Sequence, residues 1–162
     1  MVLMTTSETL QRITLIAATV LTGLFTGLFA TFSYAVMPGL RRTDDATFVR
    51  AMQQVNVAIL NPVLGVVFAG SLIVSLAAVV LTFRDSAARP WAVGALVLVL
   101  ATIVVTAAVN VPLNDKLAAG VGSPAALRAA FEHTWVAWNV VRTVLSLAGF
   151  VSWAIALVVR AS

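Results

Sequence analysis

Three residues in the C-terminal third of the chain, Trp135, Asn139 and Arg142, have the types and the spacing to handle a negative charge. Positions i, i+4 and i+7 share one face of a helix, so the three side chains would line one wall. Arg142 stands inside an apolar stretch, where an arginine costs about 2.5–3.5 kcal/mol at mid-membrane and is typically paired or functional. The alternative is that Arg142 snorkels to the interface. Asn139 on the same face favours a polar cavity.

A second candidate element is the segment 110–114, in which Asn110 and Asn114 flank Pro112. Proline has no backbone donor, so Pro112 should leave the carbonyl of Ala108 without its helical partner. A kinked or broken helix end inside a membrane normally lines a cavity or is buried in protein. The pattern predicts such a helix end with both asparagines in a substrate site. The alternative is that they only cap an exposed helix end.

Further polar and aromatic side chains fall at the same ends of the predicted helices. Besides Asn110 and Asn114, the residues expected to bind a substrate are Gln53, Asn56, Tyr34, Trp135 and Trp138. An antiparallel bundle would collect nearly every carboxamide of the chain at one membrane face. Alternatively, Tyr34 belongs to the interfacial aromatic belt, and all four tryptophans are interfacial anchors.

One histidine and two carboxylates raise the question of a metal site. His133 is the only histidine, it follows Glu132, and Asp115 could come near both. Such a set can form an open iron site, but three residues without a linking motif indicate it weakly, and we predict no metal or other cofactor. His133 and Glu132 are instead candidates for a general base. The absence of cysteine excludes thiolate catalysis and cysteine-bound metals.

The elements that must position these residues are membrane-spanning helices. Of the 162 residues, 61% are hydrophobic and 10% charged, whereas a soluble domain carries about 25% charged residues. A helix of about 20 apolar residues crosses the hydrocarbon core, and such runs cover residues 13–37, 62–83, 91–111 and 138–159. They lack the alternation of barrel strands. We therefore predict an all-α, integral membrane four-helix bundle, with residues 1–162 forming a single transmembrane domain.

The links between the spans carry helix signals of their own. Thr43 can cap a short interfacial helix between the first and second spans. Its apolar stripe would consist of Phe48, Met52, Val55 and Ile59. Asn61 followed by Pro62 fits the start of the second span, and Ser123 followed by Pro124 fits a helix that runs into the fourth.

The charges bear on partners and on orientation. The formal charge of +4 is spread along the chain, unlike a nucleic-acid footprint, so no nucleic acid is expected. Four basic residues lie on the face with both termini, on short segments, and five lie on the other face. We expect a multi-pass protein of the bacterial cytoplasmic membrane with both termini in the cytoplasm. The expected partners are the bilayer and an apolar aromatic small molecule or lipid, and a homo-oligomer is compatible with the surface.

Several short motifs, in order along nearly the whole chain, resemble the anthrone-oxygenase-like family. They are Phe32-Ser33-Tyr34, Met37-Pro38-Gly39-Leu40, Phe48 with Met52-Gln53 and Asn56, Asn61-Pro62, Asn110-Val111-Pro112-Leu113-Asn114, Trp135-Val136-Ala137-Trp138-Asn139 and Arg142-Thr143. The resemblance implies a small four-helix membrane enzyme that converts an anthrone to an anthraquinone with dioxygen and without an added cofactor. The chain departs from the family pattern at Val140, where a histidine often follows the asparagine.

The residues and the resemblance together suggest an oxygenase for an apolar phenolic polyketide of the anthrone type. The expected roles are oxyanion stabilisation by Arg142, Asn139 and Asn114, substrate orientation by Asn110 and Gln53, and stacking by Trp135 and Trp138. The base would be His133 or Glu132. The alternative is a non-catalytic membrane protein that binds a lipid, quinone or partner in the same polar-ended cavity.

Overall fold

In a computed structural model, residues 5–160 are described, and they form five helices joined by short links. The helices are α1 (Thr6–Leu40), α2 (Asp45–Ala58), α3 (Pro62–Thr82), α4 (Arg89–Ala119) and α5 (Pro124–Val159). All but α2 are long and apolar enough to cross a membrane, and no strand occurs within the described range. The predicted all-α membrane bundle with a short helix between its first two spans is confirmed. The cytoplasmic location of the termini stays a prediction.

The four spans close into a ring, because α1 and α4 each pack against both α3 and α5. In the most apolar window of each span, only 17–28% of the residues are buried inside the bundle, so lipid must cover the rest. Near the termini, alanines from all four spans surround Trp153, which is fully buried. Trp153 is therefore a core residue, and its predicted place as an interfacial anchor is wrong.

Capping side chains explain where the helices begin. Asn61 accepts a hydrogen bond from the Leu64 N–H at 3.1 Å, and Ser123 accepts one from the Ala126 N–H at 3.3 Å, which confirms both predicted helix starts. The cap of α2 is Asp44 rather than Thr43, because the Thr43 hydroxyl donates to the Leu40 carbonyl and so closes the preceding helix. Hydrogen bonds from the side chain and backbone of Thr47 hold the pKa of Asp44 below its usual value.

The short helix α2 packs against protein along its apolar face. Phe48 and Met52 are fully buried, in a cluster with Leu117 of α4 and with Phe131 and Trp135 of α5. These partners belong to the parts of α4 and α5 beyond the predicted span limits of residues 111 and 138. The longer spans thus provide the surface on which α2 rests.

Two wide turns interrupt the spans, both just before a proline. Residues Phe32–Val36 of α1 and Thr106–Asn110 of α4 are π-helical, and the prolines Pro38 and Pro112 follow two residues later. The Val111 N–H bonds to the Thr106 carbonyl five residues back, which shifts the carbonyls away from the proline ring. Because α4 continues past Pro112 to Ala119, the predicted helix end at Pro112 is wrong.

Candidate functional site

A cavity of about 100 Å³ lies inside the bundle, between the π segments and α2. Most of its walls are aliphatic or aromatic side chains, and its polar lining residues are Asn56, Thr106, Asn114, Trp135 and Arg142. The structure thus brings together four residues predicted from the sequence, Asn56, Asn114, Trp135 and Arg142. Thr106 and the aromatic wall residues Phe29 and Phe68 were not predicted.

Arg142 is the only charged residue among those that line this cavity, and it is 5% exposed. Its Nη2 donates to Asn139 Oδ1 at 2.8 Å, and its guanidinium carbon lies 4.3 Å from the ring centre of Phe29 and 5.4 Å from that of Trp135. Within residues 5–160 no carboxylate forms an ion pair with it, and its Nε has no hydrogen-bond partner. Within the described chain, the Asn139 oxygen and the two rings compensate its charge.

Asn139 is buried between α1 and α5 and holds Arg142 in place. Its Nδ2 donates to the Phe29 carbonyl at 2.9 Å and to Ser33 Oγ at 2.8 Å, while its Oδ1 accepts from Arg142. Ser33 also lies 3.2 Å from the Thr143 hydroxyl. The first π segment is therefore bonded to α5 beside the guanidinium. Asn139 itself does not line the cavity, so it positions Arg142.

The second π segment is bonded to α5 through Trp135. Trp135 Nε1 donates to Asn114 Oδ1 at 2.8 Å, and Asn110 Nδ2 donates to the Trp135 carbonyl at 3.3 Å. Trp135 is therefore held from both sides, with its ring against Phe32 and Phe131. Asn110 is fully buried behind the lining, and its Oδ1 has no partner among the described residues.

Helix α2 contributes one polar group to the cavity. Asn56 lines it, and its enclosed Nδ2 has no hydrogen-bond partner in the described part of the chain. Gln53 lies three residues earlier and donates to the Leu117 carbonyl at 2.8 Å, which ties α2 to α4 outside the cavity. Among the enclosed side-chain atoms of the lining residues, Arg142 Nε and Asn56 Nδ2 have no hydrogen-bond partner in the described chain, and both are donors. Such a site suits an oxygen acceptor or an anion.

Several predicted site residues lie elsewhere. Tyr34 is 72% exposed and Trp138 is 38% exposed, and neither lines the cavity. His133 is exposed on α5 and also lies outside the cavity. The predicted stacking partner Trp138 and the candidate base His133 are thus separated from Arg142 and Asn56, the cavity's unpartnered donors.

Glu132 belongs to an ion-pair cluster at the start of α5. Its two oxygens accept from Arg41 at 2.9 Å and from Arg128 at 2.7 Å, and Arg128 also binds Asp45 at 3.0 Å. Both arginines compete with any proton for the carboxylate, which makes Glu132 a poor base. Between residues 5 and 160, no three His, Asp or Glu side chains are grouped so that they could hold a metal ion. The set of His133, Glu132 and Asp115 is not assembled.

Comparison with known proteins gives one positive result. Residues 48–152 match the profile of the family described as anthrone oxygenase. The match covers α3 and α4 completely and most of α2 and α5, and hence every cavity residue outside α1. No curated protein and no solved structure shows a significant match. Since the profile covers well over half of the chain, the protein belongs to the anthrone oxygenase family.

Proposed function

We propose that this protein is a membrane-embedded oxygenase that oxidises an apolar phenolic substrate of the anthrone type with dioxygen. The observation that carries the proposal is the buried guanidinium of Arg142, which faces the cavity without a counter-charge in the described chain. Because burying an arginine inside a membrane is energetically costly, such a residue normally has a function. The family membership supports oxygenation as the type of reaction.

In the proposed reaction, a methylene group between aromatic rings loses a proton, and the resulting carbanion is delocalised as an enolate. The enolate transfers one electron to dioxygen, and the substrate radical and superoxide combine to form a C–O bond. The peroxide takes up a proton. Loss of the remaining C–H proton with cleavage of the O–O bond then releases water and leaves a carbonyl group. One oxygen atom stays in the product and the other leaves as water, so the substrate itself supplies the electrons.

The cavity would act on this reaction through the charge of Arg142. The positive charge favours the enolate over the neutral substrate and then stabilises the peroxide anion. Low-dielectric walls such as Phe29 and Phe68 strengthen this interaction because they exclude water. Asn139 fixes the guanidinium, so little reorganisation is needed when the negative charge forms.

The proposed reaction also requires a group that accepts the proton of the methylene carbon. No Asp, Glu or His is found among the lining residues in the described range 5–160. We therefore propose that the substrate binds as its enolate, after giving its proton to solvent, and that the charge of Arg142 lowers the pKa of the substrate in the site. Turnover should accordingly rise with pH until the bound substrate is fully ionised.

The proposal is tested with purified protein in lipid nanodiscs, supplied with a hydroxyanthrone under labelled dioxygen, after chelation and after metal loading. We expect one labelled oxygen atom per anthraquinone. Arg142→Met should lower kcat/KM by about 10²–10³-fold, as loss of an oxyanion donor does. The matched control is Arg50→Met, which removes the same charge from an exposed position on α2. Unchanged turnover in both Arg142→Ala and Asn139→Ala would contradict the assignment.

Binding of a lipid or quinone without catalysis is the second candidate function. It is favoured by the groove on the lipid-facing surface that adjoins the cavity through three shared residues, Leu28, Ile59 and Leu64. Mass spectrometry of ligands that co-purify with the protein distinguishes the two. A bound phospholipid or quinone together with no oxygen uptake on any anthrone would favour this candidate.

A further inference from the structure

The cavity shares part of its wall with a groove on the outer surface of the bundle. This groove of about 410 Å³ runs between α1 and α3 and shares Leu28, Ile59 and Leu64 with the cavity. Beyond these shared residues it is lined by Leu24, Val63 and Val67, which lie on spans that lipid must cover. The cavity therefore adjoins the bilayer directly, on the side of α1 and α3.

The two spaces differ in size. An apolar protein cavity of roughly 150 Å³ holds a single benzene ring, and the inner cavity measures about 100 Å³. It is smaller than the space for one whole ring, so it can receive only the oxygen-bearing edge of a phenolic molecule, and the rest of the molecule must extend past Leu28 and Ile59. The groove, at about 410 Å³, is the adjoining space that can receive them.

The two spaces also differ in polarity. The lining of the inner end includes Arg142 and Asn56, whose enclosed donors Nε and Nδ2 have no hydrogen-bond partner in the described chain. Among the described residues that line the groove, only Asn61 is polar. Its Oδ1 accepts from the Leu64 N–H and its Nδ2 donates to the Ala58 carbonyl, so it is occupied as a helix cap. A molecule that fits both spaces carries its oxygen atoms at one end only.

We propose that the ligand is an elongated amphiphile that enters from the bilayer between α1 and α3. Its oxygen-bearing ring binds Arg142 and Asn56, and its apolar end remains in the groove between Leu24 and Val63. The proposal rests on the proposed function in using the same cavity, and it adds the substrate class, the route of access and the role of Asn56 as the second oxygen contact. A polar group at the far end of the molecule would lie against lipid and prevent binding.

The test uses a probe that is not turned over, 1,8-dihydroxyanthraquinone with an alkyl chain that ends in a diazirine. It is irradiated with the wild-type protein in phosphatidylcholine nanodiscs, and the labelled peptides are mapped by mass spectrometry. We expect label on α1 and α3 near Leu24, Val63 and Val67, and its loss when excess dihydroxyanthraquinone without a chain competes. In Asn56→Leu, less of this label should form because one oxygen contact is lost.

Two substitutions on opposite walls fill the groove. Val63→Trp and Leu24→Trp should each reduce labelling about tenfold, which corresponds to about 1.4 kcal/mol of binding free energy. The matched control is Val66→Trp on the same helix: Val66 is 65% exposed against 71% for Val63 and does not line the groove. Circular dichroism in the nanodisc identifies any variant that fails to fold.

Label spread evenly over all lipid-facing helices, or unchanged in both groove variants, would overturn the inference. The labelling result does not depend on whether the protein catalyses a reaction, because the probe is not turned over. Labelling of the groove without oxidation of any anthrone would refute only the proposed function. Oxidation of a hydroxyanthrone that is insensitive to Val63→Trp and Leu24→Trp would refute only the route and the amphiphilic class.

Discussion

Asn139 forms hydrogen bonds to three groups, so Asn139→Ala should lower the free energy of unfolding by an amount that depends on Arg142. Its bonds to the Phe29 carbonyl and to Ser33 join two helices, and such bonds in membranes contribute about 0.6 kcal/mol each. The bond from Arg142 is charge-assisted and contributes about 1.5–3 kcal/mol. The sum for the single variant is about 3 kcal/mol.

A double-mutant cycle separates these contributions. In an Arg142→Met background the charged bond is already absent, so Asn139→Ala should cost only about 1 kcal/mol, and the coupling energy should be about 2 kcal/mol. Arg142→Met alone should leave stability near that of the wild type, because the cost of a buried charge disappears together with the bond. The assay is unfolding of the purified protein by sodium dodecyl sulfate in mixed micelles, followed by circular dichroism.

Val140→Ala is the control, since Val140 is exposed and adjacent on α5. It should change the free energy of unfolding by less than about 0.5 kcal/mol. If Asn139→Ala costs the same in both backgrounds to within about 0.5 kcal/mol, the two sites are independent. The conclusion that Asn139 positions the guanidinium would then be wrong.

Three further outcomes follow from the placement of single residues. Glu132→Gln weakens the contacts to Arg41 and Arg128 and should cost about 1 kcal/mol of stability, less at high salt, in the same unfolding assay. His133→Ala should leave kcat unchanged, because the imidazole lies outside the cavity, and a loss of about tenfold or more would make it a base or a relay. Pro112→Ala allows a regular α-helix in place of the π segment and should lower kcat/KM by about 10²-fold with little change in stability, since lining residues shift.

The two π segments also explain why the motifs around Pro38 and Pro112 lie beside the cavity. Each π segment is bonded to α5, the first through the hydrogen bond from Asn139 to Ser33 and the second through the hydrogen bond from Asn110 to the Trp135 carbonyl. A wide turn lets a helix change the direction of its side chains without ending, and such turns occur frequently at functional sites. The sequence signal was the pair of prolines inside long apolar runs. We ended the first span before Pro38 and interpreted Pro112 as a kinked or broken helix end, whereas both helices continue past these prolines.

The sequence by itself determined the number and type of the spans, because the length and hydropathy of a run are local properties and lipid admits few other structures. It also determined the helix starts at Asn61 and Ser123, since a capping side chain acts on a backbone group three residues away. The accumulation of carboxamides at one end of the bundle followed from the order of the spans.

Only the tertiary structure decided which side of each helix faces inward. In a soluble protein the polar face marks the outside, but the outer face of a membrane helix is as apolar as its interior. Trp135 and Trp138 therefore look alike in the sequence, although one lines the cavity and the other is exposed. The partners of Glu132 show a second limit of local patterns. Arg41 lies 91 residues from Glu132 in the sequence, so no local pattern could pair the two. Glu132 was therefore predicted as a candidate base, whereas the structure places it in an ion-pair cluster.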